Sequence, residues 1–325
     1  MIITKTPYRV SLFGGGTDHP AWFTDNGGEV ISFAIDKFCY IFLRILPPFF
    51  DHRFRIVYSK VENVSTLEQI SHPAVREAIK KYAPNLHLEI HHDGDLPARS
   101  GIGSSSAFIV GLIHALGVLQ KIDFTPTQIA ERAIELEKDV LHENVGYQDQ
   151  VACTLGGLNY LKFSGISSWV AEPIILDPEF QNRLMDRMVL VYTGIQRRSS
   201  DIQSNLLQNI HTKSTSMNRV IDLSRECKRI LENKGDLNLI GEMLNESWNL
   251  KKEMNSHAIT PELDSVWNQA KFAGAIGGKV LGAGGGGFCL FWVREGGREE
   301  FIERLTFGMS VPIQISNTGT VCILK

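Results

Sequence analysis

Apolar and β-branched residues fall in short runs over the first part of the chain, at residues 8–13, 30–35, 38–46, 54–58 and 86–90, each of strand length. Polar, turn-forming stretches separate these runs, and the pattern predicts a sheet. From residue 104 to 120 nearly every position is apolar. A helix with no face to give to water belongs inside, so this stretch is expected to cross the core. The next helix has a readable start: Thr125 offers a capping hydroxyl, Pro126 sits in the first turn, and Gln128 follows three residues after the cap. It should run to about Leu141 with Ile129, Ala133, Leu136 and Val140 as its apolar stripe. At about 100° per residue, Glu137 falls on the edge of that stripe and borders the core.

Residues 199–273 are polar and helix-forming, with almost no β-branched runs, and mark a second unit. A strand at 279–281, a glycine cluster, an apolar run at 288–293, a helix at 298–307 and two last strands close the chain. Strands and helices mixed in this way predict an α+β protein. With the boundary placed between Tyr192 and Ser200, the expected domains are residues 1–195 and 196–325.

Composition narrows the partners. Of 325 residues, 43% are hydrophobic and 21% charged, so the chain can bury a core and is not a disordered or fibrous one. The 33 basic and 36 acidic residues leave a net charge of -3, which favours neither a nucleic acid nor a membrane as partner; a small molecule is the expectation. Five scattered cysteines without a Cys-x-x-Cys spacing argue against a zinc site or a disulfide framework. No signal peptide is legible at the N-terminus, and a reduced, cytoplasmic enzyme is expected. Monomer and homodimer are both left open.

The segment Leu96-Pro97-Ala98-Arg99-Ser100-Gly101-Ile102-Gly103-Ser104-Ser105-Ser106-Ala107 follows a strand and opens the apolar helix. A helix start offers unpaired N–H groups and a partial positive charge, and glycines let a phosphate approach the backbone closely. The same residues also suit an ordinary helix cap. No Gly-x-x-x-x-Gly-Lys-Ser/Thr is present, and the Gly282-to-Gly287 cluster is followed by a strand, where a dinucleotide fold needs a helix.

Three segments in order, Pro7-Tyr8-Arg9-Val10-Ser11-Leu12-Phe13-Gly14-Gly15-Gly16-Thr17-Asp18, the loop above, and 281–291, resemble the GHMP kinase family. The resemblance spans nearly the whole chain. It implies an α+β fold with an N-terminal domain like the second domain of ribosomal protein S5, a C-terminal ferredoxin-like domain, and an active site between them. It implies ATP with Mg²⁺ as cofactor: Gly101, Ile102, Gly103, Ser104, Ser105 and Ser106 would hold the phosphates, and Ser105 and Glu137 the metal. Asp149, in Gly146-Tyr147-Gln148-Asp149-Gln150, would act on the acceptor hydroxyl beside Arg9. Gly15, Gly16, Thr17, Asp18, Tyr147 and Gln148 would bind the substrate.

Galactokinases of the family carry Gly-Glu-His before the Thr-Asp pair, whereas this chain has Gly14-Gly15-Gly16. The all-glycine version is similar to D-glycero-D-manno-heptose 7-phosphate kinases, as are Asp36-Lys37 and the 93–106 stretch. That similarity implies phosphorylation of an anomeric hydroxyl to a 1,7-bisphosphate, on a route to lipopolysaccharide or capsule. A substrate phosphate would need cations, for which Lys37, Arg53, Arg55, Arg99, Arg197 and Arg198 are candidates. Another sugar 1-kinase (galactose or fucose), an isoprenoid-alcohol kinase, a decarboxylase on the same fold, and a nucleotide-gated sugar sensor without catalysis are the alternatives.

Overall fold

The computed structural model describes residues 1–166, 168–195, 213–255 and 257–325. The chain opens with β1 (Ile2–Phe13), α1 (Pro20–Asn26), β2 (Gly28–Ile45), β3 (Phe54–Val57), β4 (Val61–Val64), α2 (Pro73–Tyr82) and β5 (Leu88–Gly94). It continues through α3 (Ser104–Leu119), α4 (Pro126–Glu135), α5 (Gln148–Leu155), β6 (Leu158–Ser164), β7 (Ser168–Pro173), α6 (Pro178–Asp186) and β8 (Met188–Tyr192). Then come α7 (Ser214–Glu232), α8 (Leu237–Met254), α9 (Pro261–Ala273), β9 (Ala275–Val280), β10 (Phe288–Val293), α10 (Arg298–Glu303), β11 (Met309–Val311) and β12 (Val321–Leu324).

The first sheet runs β12-β1-β2-β5-β3-β4, with β6 joined to β2 and β7 to β6. The runs at 30–35 and 38–46 are one strand, not two. Asp36-Lys37 reads as a break, but β1 pairs along β2 on both sides of it and absorbs the mismatch in a register shift between Pro7 and Arg9. Such irregularities re-aim side chains, and here the re-aimed one is Arg9. As expected of a helix apolar all round, α3 lies in the core, with Ala107, Val110, Leu112, Ile113 and Leu116 fully buried.

The second sheet runs β11-β8-β10-β9, entirely antiparallel. In chain order this is 4-1-3-2, the ferredoxin-like arrangement, with three helices among the described residues between its first two strands. The boundary expected at residue 195 does not separate the two sheets, which exchange strands across it: β8 belongs to the second sheet, and β12 returns to pair with β1. Two helices are shorter than the sequence predicts. α10 stops at Glu303, and the helix begun at Pro126 passes into a π-helical turn, Leu136–Val140.

The two parts meet through backbone as well as side chains. Phe288 N donates to Ser100 O at 2.9 Å, so the second sheet holds the loop before α3. On the other side, α7 docks on β2, where Ser224 Oγ donates to Glu29 O and Arg225 pairs with the Glu29 carboxylate.

Candidate active site

Gly103, with φ +74, is the N-cap of α3, and no side-chain hydrogen bond caps the helix. Ser104 Oγ instead accepts from Arg99 N at 3.0 Å. Gly103 thus caps α3 without help from a serine side chain, and a helix start of this kind is one that can take an external acceptor. Gly101 has φ +86, and a Cβ there would lie 2.5 Å from Leu281 O; one on Gly282 would lie 2.7 Å from Gly101 Cα. The two glycine loops pack back to back, one from each domain.

Gly103 is also needed for what lies beneath. A Cβ on it would meet Arg9 Cγ at 3.1 Å and Asp149 Oδ2 at 3.4 Å. Arg9 Nε and Nη2 donate to the two oxygens of Asp149 at 2.6 Å each, and Nη1 donates to Gly101 O at 2.6 Å. Planar donors matched to both carboxylate oxygens fix orientation as well as charge. Burial alone would lower the Arg9 pKa, but the Asp149 charge outweighs it and the net direction is upward. The fork holds Asp149 with an edge toward solvent: its side chain is 23% exposed, against 4% for Arg9.

Asp18 accepts from Gly16 N at 3.0 Å and Gln148 N at 3.2 Å, and Tyr147 N donates to its backbone carbonyl. Burial, with the Asp149 charge adding to it, raises its pKa above the usual carboxylate value. The fold thus brings Gly15, Gly16, Asp18 and Gln148 to one place beside Asp149. Two predicted substrate residues are used otherwise. Thr17 is fully buried, donating to Gly14 O and accepting from Glu29 N, so it fixes the turn. Tyr147 is buried, its ring edge-on to Phe23 at 5.2 Å.

Glu137 is completely buried rather than at a border, because the π-helical turn rotates it inward from the α-helical stripe. Its hydrogen-bonding serine is Ser106, at 2.9 Å, not Ser105, which is exposed on the first turn of α3. Gln150 Nε2 donates to the same carboxylate. Burial pushes the Glu137 carboxyl up to about 8, against the hydrogen bonds from Ser106 and Gln150, with Glu143 and Asp149 adding to the rise. Among the described residues no side-chain cation pairs with this carboxylate, whose partners are Ser106 and Gln150. Among the described residues no three His, Cys, Asp or Glu side chains cluster as metal ligands.

Two lysines that sequence reasoning did not single out also enter the site. Lys251 donates to Val280 O and Gly282 O and so ties α8 to the glycine loop; burial pushes it down to about 8. Lys279 donates to Leu12 O at 2.9 Å, and burial, with Lys251 and Arg9 nearby, lowers it well below its ordinary value. The available signal was position: Lys279 stands just before the 281–291 segment. The predicted phosphate anchors fare less well. Lys37 pairs with Asp36, Arg53 with His87, and Arg55 with Glu89. Arg99 lies on the loop itself, and Arg197 and Arg198 fall outside the described residues. A hollow of about 990 Å³ lined by Asp264, Phe272 and Arg304 lies elsewhere on the second domain and includes none of these groups. All five cysteines are unpaired, and no helix among the described residues is long and apolar enough to cross a membrane.

The model of the GHMP kinases N terminal domain matches residues 70–157 and that of the GHMP kinases C terminal domain matches 225–310; together they span more than half of the chain. A D-glycero-alpha-D-manno-heptose 7-phosphate kinase of Campylobacter jejuni is 28% identical over 309 residues, 90% of this chain and 89% of that protein. A bifunctional fucokinase/GDP-fucose pyrophosphorylase of Arabidopsis thaliana is 22% identical over 98% of this chain, which spans only 32% of that protein. A solved structure of a D-glycero-D-manno-heptose 1-phosphate kinase from Bacteriodes thetaiotaomicron shares the fold with a TM-score of 0.82 at 23% identity, covering 100% of this chain and 99% of that one. The chain belongs to the GHMP kinase family and is a phosphotransferase with an alcohol group as acceptor.

Proposed function

We propose that the chain transfers the γ-phosphoryl group of ATP to the anomeric hydroxyl of a sugar, and that the sugar is D-glycero-D-manno-heptose 7-phosphate. One observation carries the transfer reading: the Arg9–Asp149 fork lies directly under Gly103, at the mouth of the phosphate loop and beside Asp18. The sugar rests on the glycine triplet at 14–16 and on likeness to the Campylobacter heptose kinase.

In this reading the N–H groups at the start of α3, with Gly101 to Ser106, cradle the nucleotide phosphates. Asp18 accepts hydrogen bonds from sugar hydroxyls and sets the ring against Asp149. Asp149 orients the acceptor hydroxyl and takes its proton as the new oxygen–phosphorus bond forms and the bond to the ADP oxygen breaks. Because phosphoryl transfer has a loose transition state, orientation carries more of the barrier than base strength. Arg9 holds the carboxylate in place through its two hydrogen bonds and places positive charge beside the transferring group. Glu137 and Ser105 would hold Mg²⁺, which when bound neutralises phosphate charge. The reaction is placed in the cytoplasm, with small molecules as its partners.

Incubation of the protein with MgATP and a panel containing the heptose 7-phosphate, the free heptose, L-fucose, galactose and mevalonate tests this. The expected result is ADP release with the heptose 7-phosphate and an anomeric phosphate in the ³¹P NMR spectrum. The fucokinase likeness keeps a fucose 1-kinase as the second reading, and turnover on fucose alone would select it. No ADP release with any acceptor rejects both and leaves a nucleotide-gated sugar sensor without catalysis.

A further inference from the structure

Gly15 is partly exposed and stands over a buried polar cluster of which the family-based site includes only Gln148. A Cβ built on Gly15 would lie 3.7 Å from Ser11 Oγ, 3.7 Å from Gln148 Nε2 and 4.0 Å from Lys279 Nζ. Three polar groups from β1, α5 and the second domain's β9 thus converge on one point. Each is more than nine-tenths buried: Ser11 is 3% exposed, Gln148 8% and Lys279 8%. Among the described residues, Ser11 Oγ and Gln148 Oε1 have no hydrogen-bond partner, and the Lys279 ammonium makes one hydrogen bond, to Leu12 O. Buried polar groups without partners cost stability, and beside Asp18 the Ser11 hydroxyl and the Lys279 ammonium have protons to give to an incoming oxygen, while Gln148 Oε1 can accept from a hydroxyl.

We propose that Ser11, Gln148 and Lys279 form a subsite that binds an electron-rich oxygen of the acceptor sugar, making Lys279 a specificity-determining residue contributed by the second domain. The proposal rests on the sugar-kinase reading and extends it. An oxygen entering over Gly15 accepts from the Lys279 ammonium, the Ser11 hydroxyl and the Gln148 amide together. The side chain missing at residue 15 leaves room for it, because any Cβ there points at the same three groups. The predicted anchors Lys37, Arg53 and Arg55 are paired with other side chains, whereas Lys279, among the described residues, is tied only to a backbone carbonyl. The site also requires both domains, since Lys279 reaches β1 from the other sheet.

The test is steady-state kinetics on the full chain, with the sugar that wild type accepts and, beside it, its unphosphorylated or phosphorylated counterpart. Ser11→Ala is the cleanest variant, because among the described residues Ser11 Oγ has no hydrogen-bond partner to lose. It should raise KM for the sugar about fivefold, and Lys279→Met about tenfold or more, with KM for ATP unchanged. Gly15→Ala, which meets only ordinary contacts, should raise the sugar KM similarly by filling the subsite. If the increase appears only with the phosphorylated sugar, the oxygen is the phosphate's; if it appears with both, it is a hydroxyl. Unchanged sugar KM in Ser11→Ala and Gly15→Ala, with wild type active, overturns the subsite and leaves the kinase reading standing. No turnover by wild type on any sugar overturns both.

Discussion

Arg9 and Asp149 meet through two parallel hydrogen bonds of 2.6 Å although 140 residues separate them. The pair joins a bulged strand of the first sheet to the first turn of α5, and Gly103 closes over it. Asp149→Asn keeps the shape but replaces one acceptor with an amide donor that faces Arg9. It should lower kcat by at least about a hundredfold with a small effect on sugar KM. Arg9→Lys loses the fork while keeping a charge and should fall nearly as far. Rates near wild type for Asp149→Asn would remove Asp149 from the reaction.

The buried Glu137 carboxyl predicts an unusual pH dependence for the metal-free protein. Its folded pKa of about 8 stands above the ordinary 4.5, chiefly through burial. Between those values the folded state holds a proton that the unfolded state has released, so stability falls as pH rises through the window. Glu137→Gln imitates the protonated acid, and Gln150 can turn its unpartnered Oε1 toward the new amide. Thermal melts from about pH 5 to about pH 8 should therefore show wild type losing stability relative to the variant. Parallel curves would place the Glu137 titration elsewhere.

Ser106 and Ser105 should separate in their effects. Ser106→Ala removes a hydroxyl that donates to the buried Glu137 and should cost about 1–3 kcal/mol of stability. Ser105 is exposed, so Ser105→Ala should leave the melting temperature unchanged and instead raise the Mg²⁺ concentration needed for half-maximal rate. Reversed assignments, with Ser105→Ala destabilising and Ser106→Ala metal-sensitive, would show that Ser106 is the metal ligand.

Gly101 has no freedom to change. Its φ of +86 disfavours a side chain, and a Cβ would stand 2.5 Å from Leu281 O on the facing loop. Gly101→Ala should cost about 1–3 kcal/mol in backbone strain alone and should raise KM for ATP about tenfold by displacing the loop. ATP affinity equal to wild type would show that the loop does not hold phosphate.

Local pattern determined much of this protein. Apolar content without a polar face placed α3 in the core, and Thr125, Pro126 and Gln128 started α4 where the structure starts it, because capping and periodicity are properties of neighbouring residues. The ordered motifs named the family and drew attention to Arg9, Asp18, Glu137 and Asp149. Only the tertiary structure decided how those residues are used. A strand that tolerates Asp36-Lys37 within it, a π-helical turn that carries Glu137 fully inside, and the choice of Ser106 over Ser105 depend on register and rotation, which sequence spacing does not encode. Thr17 and Tyr147 were spent on a turn and a core because their neighbours in space, Glu29 and Phe23, claimed them. Lys279 reached β1 because the second sheet packs against the first, a contact between residues 267 positions apart that no local pattern can announce.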